Sequence, residues 1–107
     1  MMTLCIFGLG SIGASVGLAH QHAELGDVVW GYDTDPDAVQ GALAIGAIDW
    51  AAHSIETCAS ADVILIATPP HAVPEILQRL APHLRADTVI TDVVSVKQPV
   101  LEWARQY

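Results

Sequence analysis

Residue type and spacing could first do chemistry in the segment Gly8-Leu9-Gly10-Ser11-Ile12-Gly13. It follows an apolar run, Leu4 to Phe7, and opens a small-residue stretch from about Ser11 to Ala23 that reads as a helix. In that setting Gly8 permits a tight turn, Gly10 lets backbone N–H groups reach a pyrophosphate, and Gly13 lets the helix pack close to the strand. The phosphates then sit at the positive end of a helix, with the backbone of Leu9, Ser11 and Ile12 completing the loop around them. Asp33 lies twenty residues past Gly13, at the end of a second apolar run. An acid there accepts hydrogen bonds from the 2′- and 3′-hydroxyls of an adenosine ribose and repels a 2′-phosphate. Residues 34–37 read Thr, Asp, Pro, Asp, with no Arg or Lys to receive such a phosphate. NAD is therefore expected in preference to NADP.

These residues need a frame that brings them together. Leu4 to Phe7, Asp27 to Tyr32, a short stretch near Ala47 to Ile48, Asp62 to Ala67 and Thr88 to Val94 read as strands. Asp62 to Ala67 is a continuous apolar run, as in a parallel strand covered on both faces, and Thr88 to Val94 reads as another buried strand. Asp35-Pro36 is a favoured helix start, an Asp cap with Pro in the first helical position, and Gly46 is a favoured stop. A short helix is expected near Ser54 to Ala59. Val73, Ile76, Leu77 and Leu80 form the i, i+3, i+4, i+7 stripe of another, and Pro99 fits the first turn of a last one. Strands alternating with helices in single file predict an α/β fold, a doubly wound, Rossmann-type, mostly parallel sheet with helices on both faces. Its ligand crevice lies beyond the carboxyl ends of the strands. Residues 8–13, 32–35, 67–71 and 92–97 fall there. Tyr32 and Thr34 beside Asp33, Ala67-Thr68-Pro69, and Val94 thus join the expected cofactor contacts.

Taken together, three pieces resemble the N-terminal nucleotide-binding domain of the prephenate and arogenate dehydrogenase family. They are Gly8 to Ser15, Ala67-Thr68-Pro69 after a buried strand, and Thr91-Asp92-Val93-Val94-Ser95-Val96-Lys97. The Gly46-Ala47-Ile48-Asp49 stretch also fits, and the third piece is the most specific. The resemblance implies an oxidoreductase that decarboxylates prephenate or arogenate while passing hydride to NAD, in tyrosine biosynthesis. It places Gly8 to Gly13 on the pyrophosphate, Asp33 on the adenosine ribose, and Thr68 and Pro69 along the nicotinamide ribose. Ser95 becomes the candidate catalytic residue, beside the nicotinamide and the substrate ring hydroxyl, where it helps position the base. Lys97 orders its loop or caps carbonyls. The family's catalytic histidine stands in a Gly-His-Pro context, and no Gly-His-Pro occurs in residues 1–107. The substrate arginines and the C-terminal helical domain come later still. The expectation is a cofactor half, inactive alone, that takes its small-molecule substrate only in the complete enzyme. Without its next strand it would self-associate through the end carrying Val100, Trp103 and Tyr107, so a homodimer is among the expected states.

Composition narrows the alternatives. At 107 residues, 52% hydrophobic and 15% charged, the chain is too apolar for disorder and long enough for one cored domain, residues 1–107. Twelve acids against four bases give a net charge of −8, which disfavours nucleic-acid and anionic-membrane partners. No targeting leader or membrane-span-length apolar run is visible. Two cysteines make neither a disulfide framework nor a metal cage, so Cys5 reads as a small core hydrophobe, Cys58 as unreactive, and the compartment as cytoplasmic. No metal site is expected. His20, His22, His53 and His83 read as surface or loop residues, His71 as a helix N-terminal residue, and the tryptophans as packing anchors. Asp92 either contacts ligand or caps the following turn. Two further functions fit the glycine loop and Asp33: the cofactor domain of another NAD-dependent dehydrogenase, acting on a β-hydroxy acid or an imine, and a non-catalytic NAD(H)-sensing module.

Overall fold

The computed structural model describes residues 2–10, 17 and 27–92. Among the described residues, five strands form one sheet: β1 (Thr3–Phe7), β2 (Val28–Tyr32), β3 (Trp50–Ala51), β4 (Val63–Ile66) and β5 (Val89–Asp92). Their order across the sheet is β3-β2-β1-β4-β5, and every pair is parallel. The strand order reverses direction at β1, so a topological switch point lies between β1 and β4. Helices α1 (Pro36–Ala44) and α2 (Val73–Leu80) connect strands, as do 3₁₀ turns over Glu56–Ser60, Pro70–Ala72 and Ala81–His83.

Period-two alternation in β1 and β4 splits the core into two layers. Cys5, Phe7, Ile64 and Ile66 face Val73, Ile76, Leu77 and Leu80 of α2 and the 3₁₀ turn at Cys58 and Ala59. Leu4, Ile6, Val29 and Leu65 face the other way, against Ala42, Ala47 and Ile48. Both faces of the central strands are therefore covered, which is why Val63 to Ile66 carries no polar residue. The helix stripe falls as its spacing predicts: all four of its apolar residues are buried.

Local chemistry sets the helix ends. Asp35 caps α1 by accepting from the Asp37 N–H at 3.0 Å, with Pro36 in the first turn. At the other end Gly46 adopts φ +78°, and the Gly46 and Ala47 N–H groups bond back to the Leu43 and Ala42 carbonyls. This is a Schellman cap, and it uses the Ala47 N–H that strand pairing at residues 47–48 would need. The third strand therefore forms later than the sequence suggests, at Trp50–Ala51, after the Asp49 N–H bonds the Val29 carbonyl at 2.8 Å. The short helix expected over 54–59 is the 3₁₀ turn Glu56–Ser60, whose Thr57 N–H reaches the Ser54 hydroxyl.

Three further expectations are corrected. The fifth strand is not buried throughout: it pairs with β4 and with no other described strand, and its Val89 is 56% exposed. Trp50 is no packing anchor, being 60% exposed on short β3 at the opposite edge. Cys5 and Cys58 are joined as a disulfide with Cα atoms 5.9 Å apart, because the turn that carries Cys58 lies on the Cys5 face of β1. The expected helices over Ser11 to Ala23 and after Pro99 lie outside the described residues, as does the end of the fifth strand beyond Asp92. Among the described residues, no helix is long and apolar enough to cross a membrane.

These assignments separate two substitutions. Leu80→Ala, at a fully buried position, should cost about 2–5 kcal/mol, whereas Trp50→Ala should stay within about 0.5 kcal/mol of wild type in urea denaturation.

Candidate functional site

The carboxyl ends of β1, β2 and β4 meet at Gly8. Its N–H donates to the Tyr32 carbonyl at 2.9 Å, and just before it the Phe7 carbonyl accepts from the Ala67 N–H at 2.7 Å. Gly8 has φ +91°, and a Cβ there would stand 2.8 Å from the Ala67 carbonyl carbon and oxygen and 2.9 Å from the Thr68 nitrogen. No other residue fits that conformation and that space. Gly10 differs: no described residue lies within 4 Å of where its Cβ would be, and the residue is exposed. One glycine closes the strand ends together, and the other meets no described neighbour.

Asp33 ties the loop to β2. One carboxylate oxygen accepts from the Leu9 N–H at 2.7 Å and the other from the Asp35 N–H at 2.9 Å. Each carboxylate oxygen has a second lone pair for a ligand hydroxyl. The Leu9 side chain turns inward, 4% exposed, and packs close to Gly31. It is part of the core, and only its backbone belongs to the loop.

A cavity of about 540 Å³ opens at this point, and eight of the expected contacts line it: Gly8, Gly10, Tyr32, Asp33, Thr34, Ala67, Thr68 and Pro69. The Thr68 hydroxyl oxygen is buried and has no hydrogen-bond partner among the described residues. Leu9 does not line the cavity. Ser11, Ile12, Gly13, Val94, Ser95 and Lys97 lie outside the described residues. Within the described residues strand β5 reaches Asp92, in register with Ile66, on the crevice side of the sheet. No cluster able to hold a metal occurs among the described residues.

The far wall consists of Ile55, His71, Ala72, Glu75, Ile76 and Arg79, mostly from α2 and the turn before it. His71 falls within the crevice segment 67–71 expected from the sequence; the other five were not foreseen. Arg79 pairs side-on with Glu56, Nε to Oε2 at 2.9 Å and a terminal nitrogen to Oε1 at 2.8 Å, and reaches Glu75 at 3.6 Å. The Arg79 hydrogen bonds, aided by the Glu56 backbone, hold the Glu56 carboxyl down at about 2, and Glu56 in turn raises Arg79. The signal available in the sequence was weak: Glu75 and Arg79 stand i, i+4 on one helix, while Glu56 is distant in the chain.

A family model described as prephenate dehydrogenase, nucleotide-binding domain, matches residues 16–107. The chain belongs to this family. It is similar to prephenate dehydrogenase of Bacillus subtilis, 36% identical over 106 residues that cover 97% of this chain and 29% of that protein. Among solved structures it resembles A. aeolicus prephenate dehydrogenase in complex with hydroxyphenyl propionate and NAD+. That match has TM-score 0.89 at 28% identity and covers 98% of this chain and 38% of the other. Synechocystis arogenate dehydrogenase superposes with TM-score 0.86 at 30% identity, over 98% and 37% of the two chains. The chain thus spans about a third of the length of these relatives. The parallel sheet and its strand order are those of a Rossmann fold.

The two described loop glycines should separate cleanly. Gly8→Ala should lower the thermal midpoint by several degrees, since the strained backbone alone costs about 1–2 kcal/mol, while Gly10→Ala should leave the ligand-free midpoint unchanged. The Glu56–Arg79 pair predicts a pH signature. Glu56 has its folded-state value depressed, so its contribution is complete above about 4.5 and is lost as pH falls toward about 2. Urea titrations across that window should show a shallower loss of stability in Glu56→Gln than in wild type.

Proposed function

We propose that this chain is the NAD-binding part of a prephenate or arogenate dehydrogenase, which oxidatively decarboxylates its substrate by hydride transfer in tyrosine biosynthesis. The observation that carries the reading is the placement of Asp33 and the open face of Gly10 in one cavity at the strand ends. The residues present fit the cofactor. Among the described residues, Gly10 leaves room for a pyrophosphate, Asp33 has unused lone pairs for ribose hydroxyls, and Thr68 has a hydroxyl without a partner for the second ribose. NAD supplies the hydride acceptor when bound.

In this reading the chain's residues bind and orient. Gly8 holds the loop against Ala67 and Thr68, so the pyrophosphate and the nicotinamide ribose are set in a fixed relation. Asp33 selects NAD, because a 2′-phosphate would meet its carboxylate. Tyr32, Thr34, Ala67, Pro69 and Val94 contribute the rest of the cofactor surface. Ser95 carries the catalytic role, positioning the group that takes the substrate hydroxyl proton. That base and the groups binding prephenate or arogenate belong to the part of the relatives' length beyond this match, where a homodimer contact also belongs. The binding event needs neither nucleic acid nor membrane, and the setting is the cytoplasm.

Calorimetric titration of the chain tests the reading. NAD should bind more tightly than NADP. Asp33→Asn keeps an acceptor for the Leu9 N–H but loses the charge, so it should weaken NAD by roughly tenfold and narrow the preference. No saturable binding of either dinucleotide by the folded wild-type chain would overturn the reading.

A further inference from the structure

Arg79 is a cation in the wall of the cofactor cavity, yet its hydrogen-bonding edges already face carboxylates. One edge is engaged side-on by both Glu56 oxygens, and a further nitrogen points toward Glu75. An arginine that receives a phosphate presents such an edge, bidentate and in plane. Here that edge is occupied and the local charge is offset, so the residue is poorly set up as a phosphate receptor. The two faces of the planar group take no part in these in-plane bonds. Guanidinium faces stack on planar aromatic rings, nucleobases included.

Position agrees with this chemistry. Arg79 lines the same cavity as Asp33 and Thr34, one helical turn beyond Glu75 and next to buried Ile76. That cavity spans the space from the β2 end, at Tyr32, Asp33 and Thr34, to α2, at Glu75, Ile76 and Arg79. Tyr32 lines the near wall of the same cavity. Glu56 is anchored independently of any ligand, on the 3₁₀ turn that packs beneath α2.

We propose that Arg79, locked in plane by Glu56, is the platform on which the adenine ring of the dinucleotide stacks, and that Glu56 keeps it from serving as a 2′-phosphate receptor. This rests on the proposal that the cavity takes NAD. Glu56 is then a positioning residue that acts through Arg79.

The test compares wild type, Arg79→Ala, Arg79→Lys and Glu56→Gln for NAD and NADP affinity, with folding checked by amide NMR spectra. Arg79→Ala should weaken NAD roughly tenfold, and Arg79→Lys should fail to restore it, because lysine returns the charge without the plane. Glu56→Gln should raise NADP affinity relative to NAD, an effect that lost structural support alone would not produce. In the wild-type complex, adenine H2 or H8 should give nuclear Overhauser effects to the Arg79 δ-protons, a readout that survives if a variant fails to fold. Wild type that binds NAD without those effects, or with full affinity in Arg79→Ala or Arg79→Lys, would overturn this contact and leave the cofactor reading standing. Wild type that binds no NAD would overturn both.

Discussion

Gly8 holds three strand ends against one another. Its N–H closes onto β2 through the Tyr32 carbonyl, and its bare α-carbon lies against the β4 exit at Ala67 and Thr68. A side chain at this point would push β1 and β4 apart where the crevice begins. The requirement is steric and conformational together, since φ is +91° and the space is already filled by backbone. The loop, the acid on β2 and the threonine after β4 are brought to one cavity because this junction is tight.

The acidic composition has a structural use beyond its effect on partners. Several carboxylates accept backbone N–H groups at strand ends and edges. Asp27 takes Met2, Asp62 takes Thr3, and Asp49 takes Val29, each at 2.8 Å. Asp62 is also paired with Arg85, which together with the Thr3 N–H lowers its carboxyl below the ordinary range. Asp33 does the same for Leu9, but at the crevice end of the sheet. An acid that stiffens the glycine loop and still has lone pairs for a ligand couples the fold to the proposed binding event. Such charge-assisted bonds are stronger than neutral ones, so the loop is anchored at Leu9 before a ligand arrives.

Features fixed by neighbours in the chain were legible in the sequence. Asp35-Pro36 and Gly46 mark α1 because capping is a local matter, and the stripe from Val73 to Leu80 marks α2 because burial repeats with the helix. Eight cavity residues were legible too, since the topology sends each strand's carboxyl end to the same place. What was missed depends on contacts across the chain or on competition for one hydrogen bond. The third strand moved because Ala47 gives its N–H to the helix cap. Cys5 and Cys58 meet only once a turn crosses the sheet, and Arg79 enters the cavity only once α2 docks. Trp50 and Val89 are apolar but sit on edge strands, where pattern alone does not reveal exposure.

The central claim is that the glycine loop and Asp33 act as one dinucleotide site. An amide NMR titration of the chain with NAD tests it most directly, because the Leu9 N–H reports the loop and the Asp33 carboxylate at once. The amides of Leu9, Gly10, Asp33, Thr34 and Asp35 should shift together along one saturable curve, while Ala42 and Leu43 on α1 stay in place. Saturable binding that moves other amides and leaves Leu9 and Asp35 unmoved would contradict the account.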